Sequence, residues 1–404
     1  MDGCRGSGLI SVREALSALD AIAPLPSRRT RVTHALHRVL AEPALATCDL
    51  PPFTQSAVDG YAVRHGDLVR GALPLSGTVR ASALAAPPEL ASGTAQRIYT
   101  GGMLPLGADT VVRQEWMRAR TNVVEFLRTP ERGADVRSRG EELRAGARLA
   151  DAGLRLAPGG VAALAAAGVQ DVVVHGAPRI AVLVTGDEVA PPGTNCKLGQ
   201  IPDANGPLVT TWLAAQGYAK VRLEYVPDSA QAVRTALLRA LSHSDLVLTT
   251  GGVSVGDHDY VPTTALELGA RTLFWKVAQK PGKPVFAALR QRALLVGLPG
   301  NPASVLVNLL VYVRRALDRL EGVREPGPGF RTALLDSPVK GDAERDQWLR
   351  MALRQDETGR TRLVRLPKQS SHMLSNLMEA AALAWIPATP TETPAGTVVR
   401  WLAL

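Results

Sequence analysis

The spacing of apolar positions changes character several times along the chain. Ser11 and Glu14 have the spacing of a helix-capping box, and Val12, Leu16, Leu19 and Ile22 follow at helical intervals, which predicts a short amphipathic helix over residues 11–22. Residues 51–140 are instead rich in Gly and Pro and carry short β-prone runs such as Thr110-Val111-Val112 and Val123-Val124-Glu125-Phe126, the pattern of a β-rich module. An Ala-rich stretch at 158–168 predicts a helix leading into a strand at 172–175.

From Arg179 onward strand-length apolar runs alternate with helical stretches. Residues 180–184 form such a run, followed by the polar turn Thr185-Gly186-Asp187-Glu188, and Asn205 stands where it could cap a helix to about Gln216. A strand at 221–226, a helix at 229–241, a strand at 246–250, a helix ending near Gly269, a strand at 294–298 and a helix at 303–320 complete the series. Strand, Gly-rich turn and helix in alternation mark a doubly wound, mainly parallel α/β sheet, which binds ligands at the carboxyl ends of its strands. The REPGPG stretch at 324–329 reads as a linker, and the short alternating runs and prolines of 330–404 predict a small β-domain.

Composition narrows the classes. The chain has 404 residues, 46% hydrophobic but only 4% aromatic, so a sizeable core must be built from Leu, Val and Ala. Its net charge of +9 suits an anionic partner. The basic residues are scattered and match no nucleic-acid-binding motif, which favours an ordinarily solvated surface over an RNA or DNA interface. Cys4, Cys48 and Cys196 are far apart and odd in number, so neither a disulfide framework nor a zinc spacing is expected. Nothing near the start resembles a signal peptide and the longest apolar run is too short to span a bilayer, which predicts a soluble cytoplasmic protein without membrane contact.

Several turns could carry chemistry. In LVLTTGGVSVGDHDY a strand runs into Gly251-Gly252, followed by Ser254, Gly256, Asp257 and Asp259. Glycines let backbone amides approach a phosphate, and the aspartates make sense beside that anion if Mg²⁺ lies between; a tight turn with a capping Asp is the plainer alternative. KVAQKPGKP holds Lys276, Lys280 and Lys283 around a Pro-Gly turn, either as solvated charges or as an anion cradle. GLPGNPAS is a rigid connector or a pocket wall. Asp59, Thr100, Asp109 and Glu115 are loop residues that taken singly would be solvated or capping. His34 and His37, spaced i, i+3 on an expected helix with no third ligand, read as structural.

As a set, PPFTQSAVDGYAV, RIYTGGMLPLGADTVVRQE, VLVTGDEV, GQIPDANGPLV, TTGGVSVGDHDYV, FWKVAQKPGKPVF and GLPGNPASVLVNLLV resemble, in order and spacing, the MoeA/gephyrin E-domain family of molybdopterin molybdenumtransferases, from about residue 9 to the end. The resemblance implies a multidomain α/β protein. It comprises an elongated N-terminal dimerisation region (1–50 and 141–178), an inserted β-module (51–140), a MogA-like molybdopterin-binding α/β domain (179–325) and a C-terminal β-barrel-like domain (328–404). It further implies a homodimer whose active site combines the α/β domain of one subunit with the inserted module of the other, transient contact with other molybdenum-cofactor biosynthesis proteins, and Mg²⁺-assisted insertion of molybdenum from molybdate into adenylylated molybdopterin with release of AMP.

Carried over residue by residue, the resemblance points to Asp59, Thr100, Glu188, Asp228 and Asp259 as catalytic, with Asp59 and Asp259 toward Mg²⁺. Gly251, Gly252, Ser254, Lys276, Lys280, Lys283, Pro299, Pro302, Arg350 and Ser371 fall in substrate binding, with Lys280, Lys283, Arg350 and Ser371 forming the molybdate pocket. The chain departs from the family at Glu142, commonly Asp, at Ser370 and His372, which replace glycines around Ser371, and at Ala381-Ala382, usually Ala-Asn. Two other readings compete: a pterin adenylyltransferase, against which the extra modules speak, and a receptor-anchoring scaffold, against which the retained carboxylates and lysines speak.

Overall fold

The computed structural model describes residues 8–81, 86–253 and 259–404. The chain divides into two compact units. One holds Arg29–Leu36 and Glu42–Val173; the other holds the described residues up to Arg28, His37–Ala41 and Val174–Leu404.

The first unit is organised around a six-stranded sheet in the order Thr110–Arg113, Gly60–Val63, Ala95–Ile98, Ala72–Val79, Val123–Phe126, Met117–Arg120. Alternate residues face opposite ways along a strand. Tyr61, Val63 and Val112 therefore join Leu73 and Val124 in one apolar cluster, while Ala62 and Val111 join Val79 and Ile98 in another. Gly60–Val63 is buried throughout and pairs antiparallel with a neighbour on each side. At Gly60 a side chain has no room, because a Cβ would lie 2.2 Å from the Val112 carbonyl oxygen.

In the second unit the α/β sheet has the order Val221–Val226, Ile180–Thr185, Leu246–Thr250, Ala293–Leu298, Phe286–Arg290, Arg271–Trp275. The first four strands are parallel and the last two add antiparallel pairings, in keeping with the mainly parallel sheet expected. The central strands are buried on both faces, which is why they read as unbroken apolar runs. One face packs on Asn205–Ala215, Pro302–Asn308 and Val12–Ala18; the other packs on Ala230–His243 and Tyr260–Glu267. The amino-terminal helix begins on the expected capping box: the Glu14 amide donates to Ser11 Oγ (3.2 Å) and the Ser11 amide to the Glu14 carboxylate (2.7 Å).

Residues 331–403 form a closed five-stranded barrel, Asp346–Gln355 pairing with Thr361–Arg365 on one side and Ala382–Ile386 on the other, with Arg331–Leu335 and Val398–Ala403 completing the ring. A sixth, two-residue strand, Gln279–Lys280, reaches out of the α/β domain and adds in parallel to the barrel's longest strand.

Three local expectations need correction. Asn205 does not cap its helix; it is the first helical residue, and Asp203 Oδ1 accepts from the amides of Asn205 (2.8 Å) and Gly206 (3.1 Å). His34 and His37 share no helix: the 3₁₀ turn Val32–His34 ends there, and His37 has φ 62°, in the left-handed region. The helix expected over 303–320 is broken by a π turn, Leu309–Val313, between Pro302–Asn308 and Arg314–Leu320. Among the described residues no helix is long and apolar enough to cross a membrane.

The Gly60 approach gives a direct test. Gly60→Ala should destabilise the unit that contains it by roughly 1–3 kcal/mol through overpacking against Val112, lowering its thermal transition in calorimetry; an unchanged transition would show that the strands can part.

Candidate active site

The four parallel strands end at Thr185, Val226, Thr250 and Leu298. The turns after Thr185, Thr250 and Leu298 line a pocket of about 570 Å³ at the carboxyl edge of the sheet, where open α/β sheets hold ligands. Gly251 makes the turn possible: its φ is +89°, and a Cβ would lie 2.8 Å from Thr185 Oγ1. Glu188, Asp203 and Asp259 line this pocket, as do Gly251, Gly252, Pro299 and Pro302.

Asp203 is committed to structure. Besides the two amides it caps, its carboxylate accepts from Tyr225 Oη (2.8 Å). Burial, and then the bond to Asp203, pushes the Tyr225 phenol up to about 12. Glu188 is exposed and Asp259, just ahead of the helix Tyr260–Glu267, is half-buried. Two buried atoms of lining residues, Thr250 Oγ1 and Asn205 Oδ1, have no hydrogen-bond partner among the described residues. Asn205 Nδ2 donates to the Gly300 carbonyl (2.7 Å), tying this helix to the Pro299–Pro302 turn.

A second pocket of about 220 Å³ adjoins the first, sharing Pro284, Pro299 and Asn301 with it. Its charges are reversed. Lys280, Lys283 and Arg345 line it together with Ser304, Ser370, Ser371 and Gln369, and no carboxylate is among the described lining residues. Arg345 is held by Asp342, whose Oδ2 accepts from Nη2 (2.9 Å). Lys280 is placed by the strand addition to the barrel, where Lys280 pairs with Gln347, and it leads through a cis Lys280–Pro281 bond into the turn carrying Lys283. Ser371 is tied to the Pro299–Pro302 turn twice: Asn301 Nδ2 donates to its Oγ (3.2 Å) and the Ala303 amide to its carbonyl (3.2 Å).

Arg350 departs from the role expected of it. It is 3% exposed, and its guanidinium donates to the carbonyls of Lys368 (2.8 Å), Ser370 (3.1 Å) and Met373. Burial pulls its pKa below the ordinary arginine value. Arg350 therefore props the 368–373 loop from beneath, and the guanidinium in the pocket lining is that of Arg345. Sequence reading missed Arg345 because nothing in GDAERDQWLR separates a pocket-facing arginine from a solvated one.

The remaining expected residues are dispersed. Lys276 has φ 64° and lays its ammonium over the Trp275 ring (4.7 Å), and the amide of Asp228 donates to Asp187 Oδ1 (3.2 Å). The described linings of the two pockets include neither Lys276 nor Asp228. Ser254, with Gly256 and Asp257, lies outside the described residues. Within the other unit, Asp59 Oδ1 accepts from both the amide (2.8 Å) and the hydroxyl (2.7 Å) of Thr100. The amide bond first, then the hydroxyl, hold the Asp59 carboxyl below its usual range. Asp109 is structural, accepting from the His65 amide (2.7 Å) and Arg132 Nε (2.9 Å).

Known proteins match most of the chain. Residues 10–168 match the MoeA N-terminal region (domain I and II), residues 181–319 the probable molybdopterin binding domain, and residues 332–404 the MoeA C-terminal region (domain IV). The molybdopterin molybdenumtransferase of Nostoc sp. is 34% identical over 91% of this chain and 86% of its own length. That of Haemophilus influenzae is 30% identical over 92% and 93%. A crystal structure of the molybdopterin biosynthesis MoeA protein from Pyrococcus horikoshii superposes with a TM-score of 0.80 at 26% identity, covering 98% of this chain and 100% of that one. The chain belongs to the molybdopterin molybdenumtransferase family, MoeA.

Proposed function

We propose that this chain is a molybdopterin molybdenumtransferase that acts in the cytoplasm as a homodimer, inserting molybdenum from molybdate into adenylylated molybdopterin and releasing AMP and molybdenum cofactor. The observation that carries the reading is the pair of adjoining pockets of opposite charge: a larger one with Glu188 and Asp259 in its lining and a smaller one with Lys280, Lys283 and Arg345. A tetrahedral dianion suits the smaller pocket, where three cations and the Ser371 hydroxyl supply donors without an opposing carboxylate in the described lining. The adenylylated pterin suits the larger one, whose size matches an organic ligand.

In this reading the shared wall of Pro284, Pro299 and Asn301 holds the two substrates side by side, turning their encounter into a step within one complex. Lys280, Lys283 and Arg345 bind and orient molybdate, and Ser371 fixes it by hydrogen bonding. Glu188 and Asp259 supply the hard oxygen donors that Mg²⁺ takes, so the larger pocket fits that ion. When bound, Mg²⁺ neutralises charge on the phosphoanhydride. Thr100 keeps Asp59 ionised, and the homodimer would bring this carboxylate from the second copy to complete the site.

Replacing Asp259 with Asn should leave a folded dimer while lowering AMP release from adenylylated molybdopterin, molybdate and Mg²⁺ by on the order of a hundredfold; wild-type turnover in that reconstitution would remove Asp259 from the chemistry. The dimer is testable separately. Equal mixing of inactive Asp59→Asn and Asp259→Asn subunits should restore about a quarter of wild-type activity, since only mixed dimers hold one intact site; no recovery after verified subunit exchange would count against a shared site. The two arginines should behave differently. Arg345→Gln should weaken molybdate binding at unchanged thermal stability, whereas Arg350→Gln should lower the melting temperature as well, because it strips the 368–373 loop of its support.

A further inference from the structure

In the wall of the cationic pocket, whose lining includes Gln279, lies a polar node that the proposed chemistry does not use. Gln279 is buried and makes four hydrogen bonds with its side chain. Its Nε2 donates to the Gly282 carbonyl (3.0 Å) and to Asn308 Oδ1 (2.8 Å), and its Oε1 accepts from Tyr312 Oη (2.8 Å) and Trp348 Nε1 (3.0 Å). A primary carboxamide has two donors and two acceptor positions, so the group is saturated. Asn308, Tyr312 and Trp348 are buried as well, and Asn308 Nδ2 adds a long bond to the same Gly282 carbonyl (3.4 Å). Asn308 and Tyr312 come from the helix stretch that widens into the π turn Leu309–Val313, and Trp348 comes from the barrel. Burial pushes the Tyr312 phenol well above its ordinary value, so it stays a donor.

We propose that Gln279 is a positioning residue for oxyanion binding: it fixes the Pro281–Gly282 turn so that Lys280 and Lys283 line one pocket, and it makes that geometry depend on the barrel through Trp348. The inference rests on the reading of the smaller pocket as the molybdate site. The side chain is specified by its chemistry. Glutamate cannot supply two donors, leucine or methionine would leave Asn308 Oδ1, the tyrosine hydroxyl and the indole N–H unpaired in a dry interior and the Gly282 carbonyl with only its long Asn308 bond, and asparagine is one methylene short. Four bonds from three places in the chain, the turn itself, the helix that carries the π turn and the barrel, converge on a residue flanked by the lysine it orients, whereas a residue serving only the core would not need to grip the Gly282 carbonyl of the turn.

The test is molybdate affinity measured apart from catalysis. Gln279→Met and the nearly isosteric Tyr312→Phe are compared with the full-length wild-type protein by titration calorimetry with molybdate and by steady-state kinetics with adenylylated molybdopterin. The expected result is a molybdate Kd and KM raised about threefold in Tyr312→Phe and tenfold or more in Gln279→Met, with kcat at saturating molybdate and KM for the pterin nearly unchanged. Should Gln279→Met fail to fold, Tyr312→Phe decides alone. Wild-type molybdate affinity in the folded variants overturns the proposal and leaves the proposed function standing. So does a loss shared equally by molybdate KM, pterin KM and kcat, which is what a merely structural role gives. A wild-type protein that does not bind molybdate overturns the function, and this inference with it.

Discussion

The parallel pairing of Gln279–Lys280 with the start of Asp346–Gln355 is the constraint on which the site depends. It is two residues long, yet it joins a loop of the α/β domain to the longest strand of the barrel. That strand then serves two purposes by alternation. Leu349 and Met351 turn into the barrel's own apolar cluster. Trp348 and Arg350, on the opposite face, turn to the junction, where Trp348 joins the α/β core and bonds Gln279 while Arg350 holds up the 368–373 loop. Phe330, Trp348 and Trp385 stack beside the same junction, with ring centroids 5.3–6.3 Å apart. In a chain with so few aromatics, three of them meet at this junction.

Charge is separated across this junction rather than averaged. A net charge of +9 spread over a surface steers anions weakly and screens readily with salt. Three cations lining about 220 Å³, with no carboxylate among the described lining residues, form a local field of another kind. The acidic side chains gather instead in the adjoining lobe, across Pro284, Pro299 and Asn301. That division answers the difficulty raised by aspartates in a turn suited to phosphate: the carboxylates need not face the oxyanion directly, because a different pocket takes it.

The α/β domain was legible because its central strands are buried on both faces and therefore spell unbroken apolar runs at strand length, as at 246–250; the edge strand at 221–226, partly exposed, instead alternates apolar and charged residues over most of its length. Local signals with one dominant interaction were equally readable, as at the Ser11–Glu14 capping box. What could not be read were choices settled by distant partners. Asp203 takes the cap from Asn205 because Tyr225, on an edge strand, anchors its carboxylate and leaves the Asn205 side-chain Nδ2 to donate to the Gly300 carbonyl. Arg345 and Arg350 carry the same charge five positions apart, and only the tertiary fold sends one toward a pocket and the other under a loop. Gln279 reads as a polar interruption between Val277 and a Pro-Gly turn, since its four partners lie 3, 29, 33 and 69 positions away.

The acids differ in what their surroundings let them do. Thr100 donates twice to one oxygen of Asp59, so this carboxyl is stabilised as the anion and oriented through that oxygen. A group held so is suited to accept hydrogen bonds or bind a cation and poorly suited to deliver a proton near neutral pH. Asp203, accepting from two backbone amides and a phenol, is engaged in holding the turn and the edge strand together even though it lines the pocket. Proximity to the pocket is therefore a weaker guide to function here than the state of each group's hydrogen bonds.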